Sequence, residues 1–212
     1  MRMRKKKNLS RRILACERFV LKSPEEYFKM PEVFAANKLA RLEIGCGKGG
    51  FLCETAMREP DVEFYAIEKI SNVVISAMEK AKAANLDNVR FVIDDATRLL
   101  NFVPAGFFDR IYINFSDPWP KARHAKNRLT HIDNLLMYKR VLREGGQLWF
   151  KTDNEEFFDF SIGQFDAAGY TVLWETRDLH SSEYAAQNVM TEYEERFSGM
   201  GMRIFSARVS PN

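Results

Sequence analysis

The stretch KLARLEIGCGKGGFLCETAMRE, residues 38 to 59, joins an apolar strand-type run to a glycine-rich turn and then to a helix with Phe51, Leu52, Ala56 and Met57 on one face. A strand that turns through glycines into a helix is half of a βαβ unit, and the pattern repeats. VEFYAIEK supplies a second buried strand and NVVISAMEKAKAAN a helix. NVRFVIDDA gives a third strand, FFDRIYINFSDPWP a fourth, a helix follows around 131–143, GGQLWFKTDN forms a fifth strand and EEFFDFSIGQFDAAG another helix. This alternation predicts an α/β fold with a mainly parallel sheet and helices on both faces. YTVLWETRDL and GMRIFSARV break the rhythm and predict a closing antiparallel strand pair.

At 212 residues with 46% hydrophobic content, the chain can bury one sizeable core. It holds no run of eighteen apolar residues, and Glu17 and Arg18 interrupt the place where a leader would keep its apolar stretch, so a cytoplasmic protein without a membrane span is expected. The three cysteines, Cys16, Cys46 and Cys53, form no C-x-x-C pair, and the three histidines have no metal-ligand spacing. A reducing compartment and no metal are expected. The net charge of +3 is unevenly spread: residues 1–31 hold ten Lys/Arg against three Asp/Glu, leaving −4 on residues 32–212. The chain is therefore divided into a basic N-terminal arm, 1–31, suited to nucleic acid or to solvent, and a main domain, 32–212.

Ligands of an open parallel sheet sit beyond the carboxyl ends of the strands. Those ends carry Glu43 with the glycine loop, Glu68, Asp94 and Asp95, Ser116 and Asp117, and Thr152 with Asp153. Gly45, Gly47 and Gly50 match a dinucleotide fingerprint in form. A pyrophosphate there would meet Glu43, and like charges about 4 Å apart repel by roughly 4 kcal/mol at an effective dielectric near 20. The acid favours a cationic ligand carrying a ribose, and S-adenosylmethionine has a sulfonium, an ammonium, a ribose diol and no phosphate. Gly45 and Gly47 would admit its methionine portion, Glu68 its ribose hydroxyls, and Asp95 with Ala96 its adenine edge. No G-K-[ST] follows the loop, so it is not a phosphate-binding Walker loop.

The segment NFSDPWPKARHAKNRLTH places Asp117 beside a tryptophan between two prolines, then four cations in eight residues: Lys121, Arg123, Lys126 and Arg128. Pro118 and Pro120 restrict the residues before them, which predicts extended conformations for Asp117 and Trp119. A carboxylate can accept from a base edge, Trp119 offers a stacking face, and the cations suit phosphates. These residues point to methylation of a nucleobase, without saying which atom. Guanine N7 is an unprotonated acceptor, so its attack on a sulfonium methyl needs no general base; catalysis would be alignment and a fixed anion.

LEIGCGKGGF, AIEK, NFSDPWPKARHAKNRLTH, FKTDNEEFF and TEYEERF, in this order, closely resemble the bacterial tRNA (guanine-N7-)-methyltransferase family over about residues 40–205. The resemblance implies a Rossmann-like S-adenosylmethionine-dependent fold and methylation of a guanine in the tRNA variable loop. It implies cofactor contacts at Glu43, Glu68, Asp95 and Asp117, with Asp117 catalytic. Substrate contacts fall at Lys121, Asp153, Thr191, Glu192, Tyr193 and Glu194, and RNA contacts at Arg123, His124, Ala125, Lys126, Asn127 and Arg128. Asn127 departs from the second arginine of many relatives, and the first twelve residues are only loosely similar. Relatives occur as monomers or homodimers. Three rivals remain at this level. An exocyclic-amine methyltransferase on adenine would differ in its product, an RNA-binding module would lack cofactor-dependent stabilisation, and an NAD-dependent oxidoreductase is opposed by Glu43.

Overall fold

Alternate residues of the second strand face two different cores, Tyr65 and Ile67 one and Phe64 and Ala66 the other, and the rest of the architecture is arranged around that division. A computed structural model describes residues 6–35 and 38–212. Helices α1 (Leu9–Leu14), α2 (Pro24–Tyr27) and α3 (Pro31–Ala35) precede strand β1 (Ala40–Ile44). Then come α4 (Gly50–Arg58), β2 (Glu63–Ile67), α5 (Ser71–Ala83), β3 (Val89–Val92), α6 (Ala96–Phe102) and β4 (Phe108–Asn114). The chain continues through α7 (Ile132–Val141), β5 (Leu142–Thr152), α8 (Glu155–Ala167), β6 (Tyr170–Thr176), α9 (Glu192–Ser198) and β7 (Phe205–Pro211).

The seven strands form one sheet in the order β3-β2-β1-β4-β5-β7-β6. β1 to β5 run parallel, and β7 is inserted antiparallel between β5 and β6, as Phe150↔Ala207 and Val172↔Val209 show. The predicted α/β class and closing pair are thus present.

Leu42 and Ile44 of β1 join Ile111, Phe150, Leu99, Leu135 and Phe157 in a core beneath α6, α7 and α8. On the other face, Phe64, Ala66 and Phe91 pack with Leu52 of α4 and Val74 and Met78 of α5. Gly49, at φ 76°, lets α4 begin against α5: a Cβ there would stand 2.4 Å from that of Ala77. Cys16, Cys46 and Cys53 are all free thiols and buried.

Residues 1–5 of the basic arm lie outside the described residues; from Lys6 onward it is laid along the domain. Cys16 and Phe19 enter the core beneath α4 and α5, and Leu21 and Phe28 enter the other. The Leu21 N–H donates to Phe91 O at 2.8 Å, covering the edge strand β3, and Arg12 forks onto Glu79 of α5 at 2.7 and 2.6 Å. A covered edge cannot template pairing with another chain. Among the described residues, no helix is long and apolar enough to cross a membrane.

Candidate active site

Past the carboxyl ends of β1, β2, β3 and β4 lies a cavity of 600 Å³. Its wall brings together five residues expected from the sequence, Gly45, Glu68, Asp95, Ala96 and Asp117, and Trp119 stands at its rim. Gly45 and Gly47 have φ of 79° and 56°, and the place of a Cβ is open space at both. Gly45 lines the cavity with bare backbone, while Gly47, expected beside it, is not part of the lining; both hold left-handed angles that glycine adopts at no steric cost. Glu68 accepts from the Ile70 N–H at 2.9 Å, which fixes its carboxylate at the β2 end. Asp95 caps α6, accepting from the Thr97 N–H at 2.9 Å and its hydroxyl at 2.7 Å. That hydroxyl holds the Asp95 carboxyl below its usual range.

Glu43 stands one layer beneath this wall, 2% exposed and absent from the cavity lining. Its Oε1 accepts from Asn114 Nδ2 at 2.9 Å, and its Oε2 is buried without a protein partner. Burial pushes its pKa up to about 7, against the opposing pull of Asn114 and Lys151. The acid expected from the sequence to act as a constant anion is therefore a carboxyl that titrates near neutrality, and it reaches the cavity through Asn114. Ser116 Oγ, on the cavity wall, is a second buried polar atom with no protein partner. Bare glycine backbone, carboxylates at the β2 and β3 ends and an unsatisfied hydroxyl fit a polar ligand with a diol and an amine.

A raised carboxyl pKa favours the unfolded state as pH rises, because the folded state retains a proton that the unfolded state has lost. Glu43→Gln keeps an acceptor for Asn114 and removes the titration. The stability gap in favour of Glu43→Gln should be absent below pH ~4.5, open between ~4.5 and ~7 and stay level above, reaching about 3 kcal/mol. Urea melts of both proteins from pH 4 to 9 measure it; parallel curves across that range would place the Glu43 carboxyl in contact with water.

Within Asp-Pro-Trp-Pro, Trp119 departs from its expected extended form, while Asp117 is not left-handed. Trp119 has φ of 42° and Phe115 has φ of 50°, both left-handed. The proline that follows Trp119 disfavours the right-handed helical region, and the left-handed one is held by Arg128. Its Nε donates to Pro118 O at 2.9 Å and its Nη2 to Trp119 O at 3.1 Å, with the guanidinium stacked on Phe160 at 4.1 Å. Arg128, expected on RNA, is thus turned inward as the clamp of this turn. Lys121, Arg123, Lys126 and Asn127 are exposed, while His124 and Ala125 are half-buried. Lys126 and Asn127 border the cavity, and His124 meets the Trp119 ring edge-on at 5.7 Å.

The segment after β6 forms a second wall above β5. Tyr193 donates to Asp153 Oδ2 at 3.0 Å and packs on Phe115 and Phe197, so two of the expected substrate residues meet. Thr191 caps α9 by accepting from the Glu194 N–H at 2.9 Å. Glu192 pairs with Lys80 and accepts from the Gly50 N–H at 3.3 Å, tying α9 to the glycine loop. Burial opposes its charge, yet Lys80 and Gly50 hold its pKa below the usual range. Glu194, expected against substrate, is wholly buried. It accepts from Lys151 Nζ at 2.6 Å and Asn188 Nδ2 at 2.6 Å, and His180 Nε2 lies 2.9 Å away. These partners outweigh burial and keep the Glu194 carboxyl below its usual range.

Lys151, Asn114, His180 and Asn188 were not singled out from the sequence. A readable signal existed for Lys151: a cation directly after the apolar run Leu148-Trp149-Phe150, at the buried end of a central strand, must find a buried partner.

A parallel sheet closed by an antiparallel hairpin, with its ligand cleft over a bare glycine loop, defines the Rossmann-like methyltransferase class. The solved structures with this fold include an antibiotic-related methyltransferase, 16% identical with a TM-score of 0.63 over 88% of this chain and 93% of that one. The 16S rRNA methyltransferase KamB gives 13% and 0.62 over 85% and 92%. The family model Methyltransf_4, described as "Putative methyltransferase", matches residues 37–207. The tRNA (guanine-N(7)-)-methyltransferase of Brevibacillus brevis is 47% identical over 84% of each chain. Those of Geobacillus sp. and Streptococcus pyogenes are 41% and 39% identical, the first over 99% of this chain and 95% of the relative, the second over all of both. The chain belongs to the tRNA (guanine-N(7)-)-methyltransferase family.

Proposed function

We propose that this protein methylates N7 of a guanine in the tRNA variable loop, using S-adenosylmethionine. The observation that carries the reading is the single cavity in which Gly45, Glu68, Asp95 and Ala96 face Asp117 and Trp119. Gly45 and Gly47 would hold the methionine portion of the cofactor along their backbone, Glu68 the ribose hydroxyls, and Asp95 with Ala96 the adenine edge. Glu43 would act through Asn114 from below. The bound cofactor supplies an electrophilic methyl group on a sulfonium.

The protein's own part is positioning and charge. Asp117, exposed at the rim, gives a fixed anion where positive charge grows on the purine, and Trp119 gives the displaced base a face to stack on. Guanine N7 already has its lone pair, so no side chain needs to remove a proton. The Asp153–Tyr193 pair and Lys121 border the approach from the β5 side and from the cationic loop. The reading extends to a cytoplasmic enzyme without a metal, acting as a monomer or homodimer, with the N-terminal basic residues near RNA.

Arg123 and Lys126 are exposed and form no ion pair among the described residues, whereas Arg128 is turned inward and donates to the backbone carbonyls of Pro118 and Trp119. Arg123→Ala and Lys126→Ala should each weaken tRNA binding at every sequence and reduce the slope of log affinity against log salt by about one. Arg128→Ala should instead lower turnover through loss of the Trp119 turn. Filter binding across a salt series and single-turnover assays separate the two; an unchanged slope in both loop variants would remove the loop from the RNA contact.

Methyl-labelled S-adenosylmethionine, unmodified tRNA and the purified protein, followed by nucleoside analysis, test the function directly. The reading requires 7-methylguanosine that forms only with tRNA. A methylated adenine would overturn the target atom, and no labelled nucleoside with intact tRNA binding would leave a binding module.

A further inference from the structure

The sheet face that carries α4 holds a second cavity, of 230 Å³, bounded by β4, β5, β7, α4 and residues 179–189. It shares one lining residue, Asn114, with the cleft above. Its chemistry is different. Trp149 of β5 is flanked by an arginine from each neighbouring strand, Arg110 from β4 and Arg208 from β7, each with its guanidinium carbon 3.9 Å from the ring centre. Arg208 also lies 3.7 Å from the centre of the Tyr184 ring. Arg110 Nη1 donates to the Tyr112 hydroxyl at 3.2 Å, while its Nε is buried with no partner.

Among the described residues, neither arginine has a carboxylate in an ion pair. The acids facing the cluster are engaged elsewhere: Glu59 binds Arg41 at 2.6 Å, and Glu183 accepts from the Trp174 indole at 2.7 Å. Arg58 of α4 adds a third guanidinium on the lining, itself paired with Glu54, so the unpaired positive charge of the cavity rests on Arg110 and Arg208. Burial, with the charge of Arg110 adding to it, holds the Arg208 pKa below its usual value despite Tyr184, Tyr112 and Glu183. Aromatic faces offset part of the cost of two partly desolvated like charges. The planar N–H forks left over match the oxygens of a phosphate, which the ring faces cannot replace.

We infer that this cavity is a phosphate-binding site, distinct from the cofactor cleft and independent of the methyl-transfer reading. The phosphate belongs either to the RNA backbone or to a free small phosphate. Both would be felt at the other wall of the active site, because Lys151 ties Asn188 and Val189 of the cavity lining to Glu194 of α9.

The test uses the full-length protein labelled with ¹⁵N, in which the three tryptophans give separate indole signals. Inorganic phosphate titrated against sodium chloride at matched ionic strength should move the Trp149 signal saturably and leave Trp119, in the cofactor cleft, unmoved. Arg208→Gln and Arg110→Gln should each weaken phosphate binding by about tenfold or more; retained S-adenosylmethionine affinity checks that the variants fold. tRNA that moves the Trp149 signal, competes with phosphate and loses about one unit of salt slope in Arg208→Gln assigns the RNA backbone. Saturable phosphate binding with an unchanged tRNA slope assigns a free phosphate. A Trp149 signal unmoved by both phosphate and tRNA in the wild-type protein overturns the inference, whatever the variants do.

Discussion

Asp117→Ala should lower methyl transfer to tRNA by about 10²–10³-fold, the usual loss when one preorganised stabiliser of transition-state charge is removed. S-Adenosylmethionine binding should survive, because Gly45, Glu68, Asp95 and Ala96 still wall the cavity without the Asp117 side chain. The split between chemistry and binding is the informative part. Attack by guanine N7 moves positive charge from sulfur to the purine, so an anion at the rim gains strength as the reaction proceeds. Single-turnover rates and cofactor titration calorimetry on the same preparation measure both quantities. A rate within threefold of wild type would remove Asp117 from the chemistry and leave it a rim residue.

Lys151→Met should cost about 3–5 kcal/mol of folding stability, the penalty for leaving one member of a buried ion pair without its partner. Both side chains are nearly inaccessible, and Lys151 has three acceptors, Glu194, Asn188 and Val189 O. Burial holds the Lys151 pKa below its usual value despite Glu194. Removing the ammonium strands the Glu194 carboxylate, which keeps only Asn188 and His180. Lys151→Met combined with Glu194→Gln should recover more than half the loss, since an amide retains those two partners and carries no charge. Equilibrium urea unfolding of the wild type, the single variant and the pair decides it. If the single variant loses less than ~1 kcal/mol, the pair is open to water and does not hold α9 in place.

The strand-helix alternation, the glycine loop and the closing antiparallel pair were legible because each is a short-range pattern. A period of two or 3.6 residues and a glycine turn are local properties, and tertiary packing did not override them here. The row of acidic strand ends was legible for a related reason. In a parallel sheet, every strand delivers its last residues to the same edge, so Glu68, Asp95 and Asp117 arrive at one cavity from positions far apart in the chain.

Side-chain contacts beyond the reach of local periodicity decided the rest. Trp119 was expected to be extended from its proline neighbours, and Arg128, nine residues on, folds back to hold it left-handed. TEYEERF, expected against substrate, does start a helix capped by Thr191. Yet Glu194 is sunk onto a lysine of β5, and Glu192 reaches the glycine loop. The basic segment was expected to suit nucleic acid or solvent; from Lys6 onward Phe19, Leu21 and Phe28 anchor it in the core and Glu79 takes Arg12.

Fold class, the position of the cleft and the chemistry of its near wall thus followed from amino-acid order, since periodicity and strand direction need no knowledge of distant partners. The ionisation of Glu43, the inward turn of Arg128 and the cluster around Trp149 emerged only on folding. A charge is set by the dielectric around it and by the groups that come within a few ångströms, and strands distant in the chain supply both.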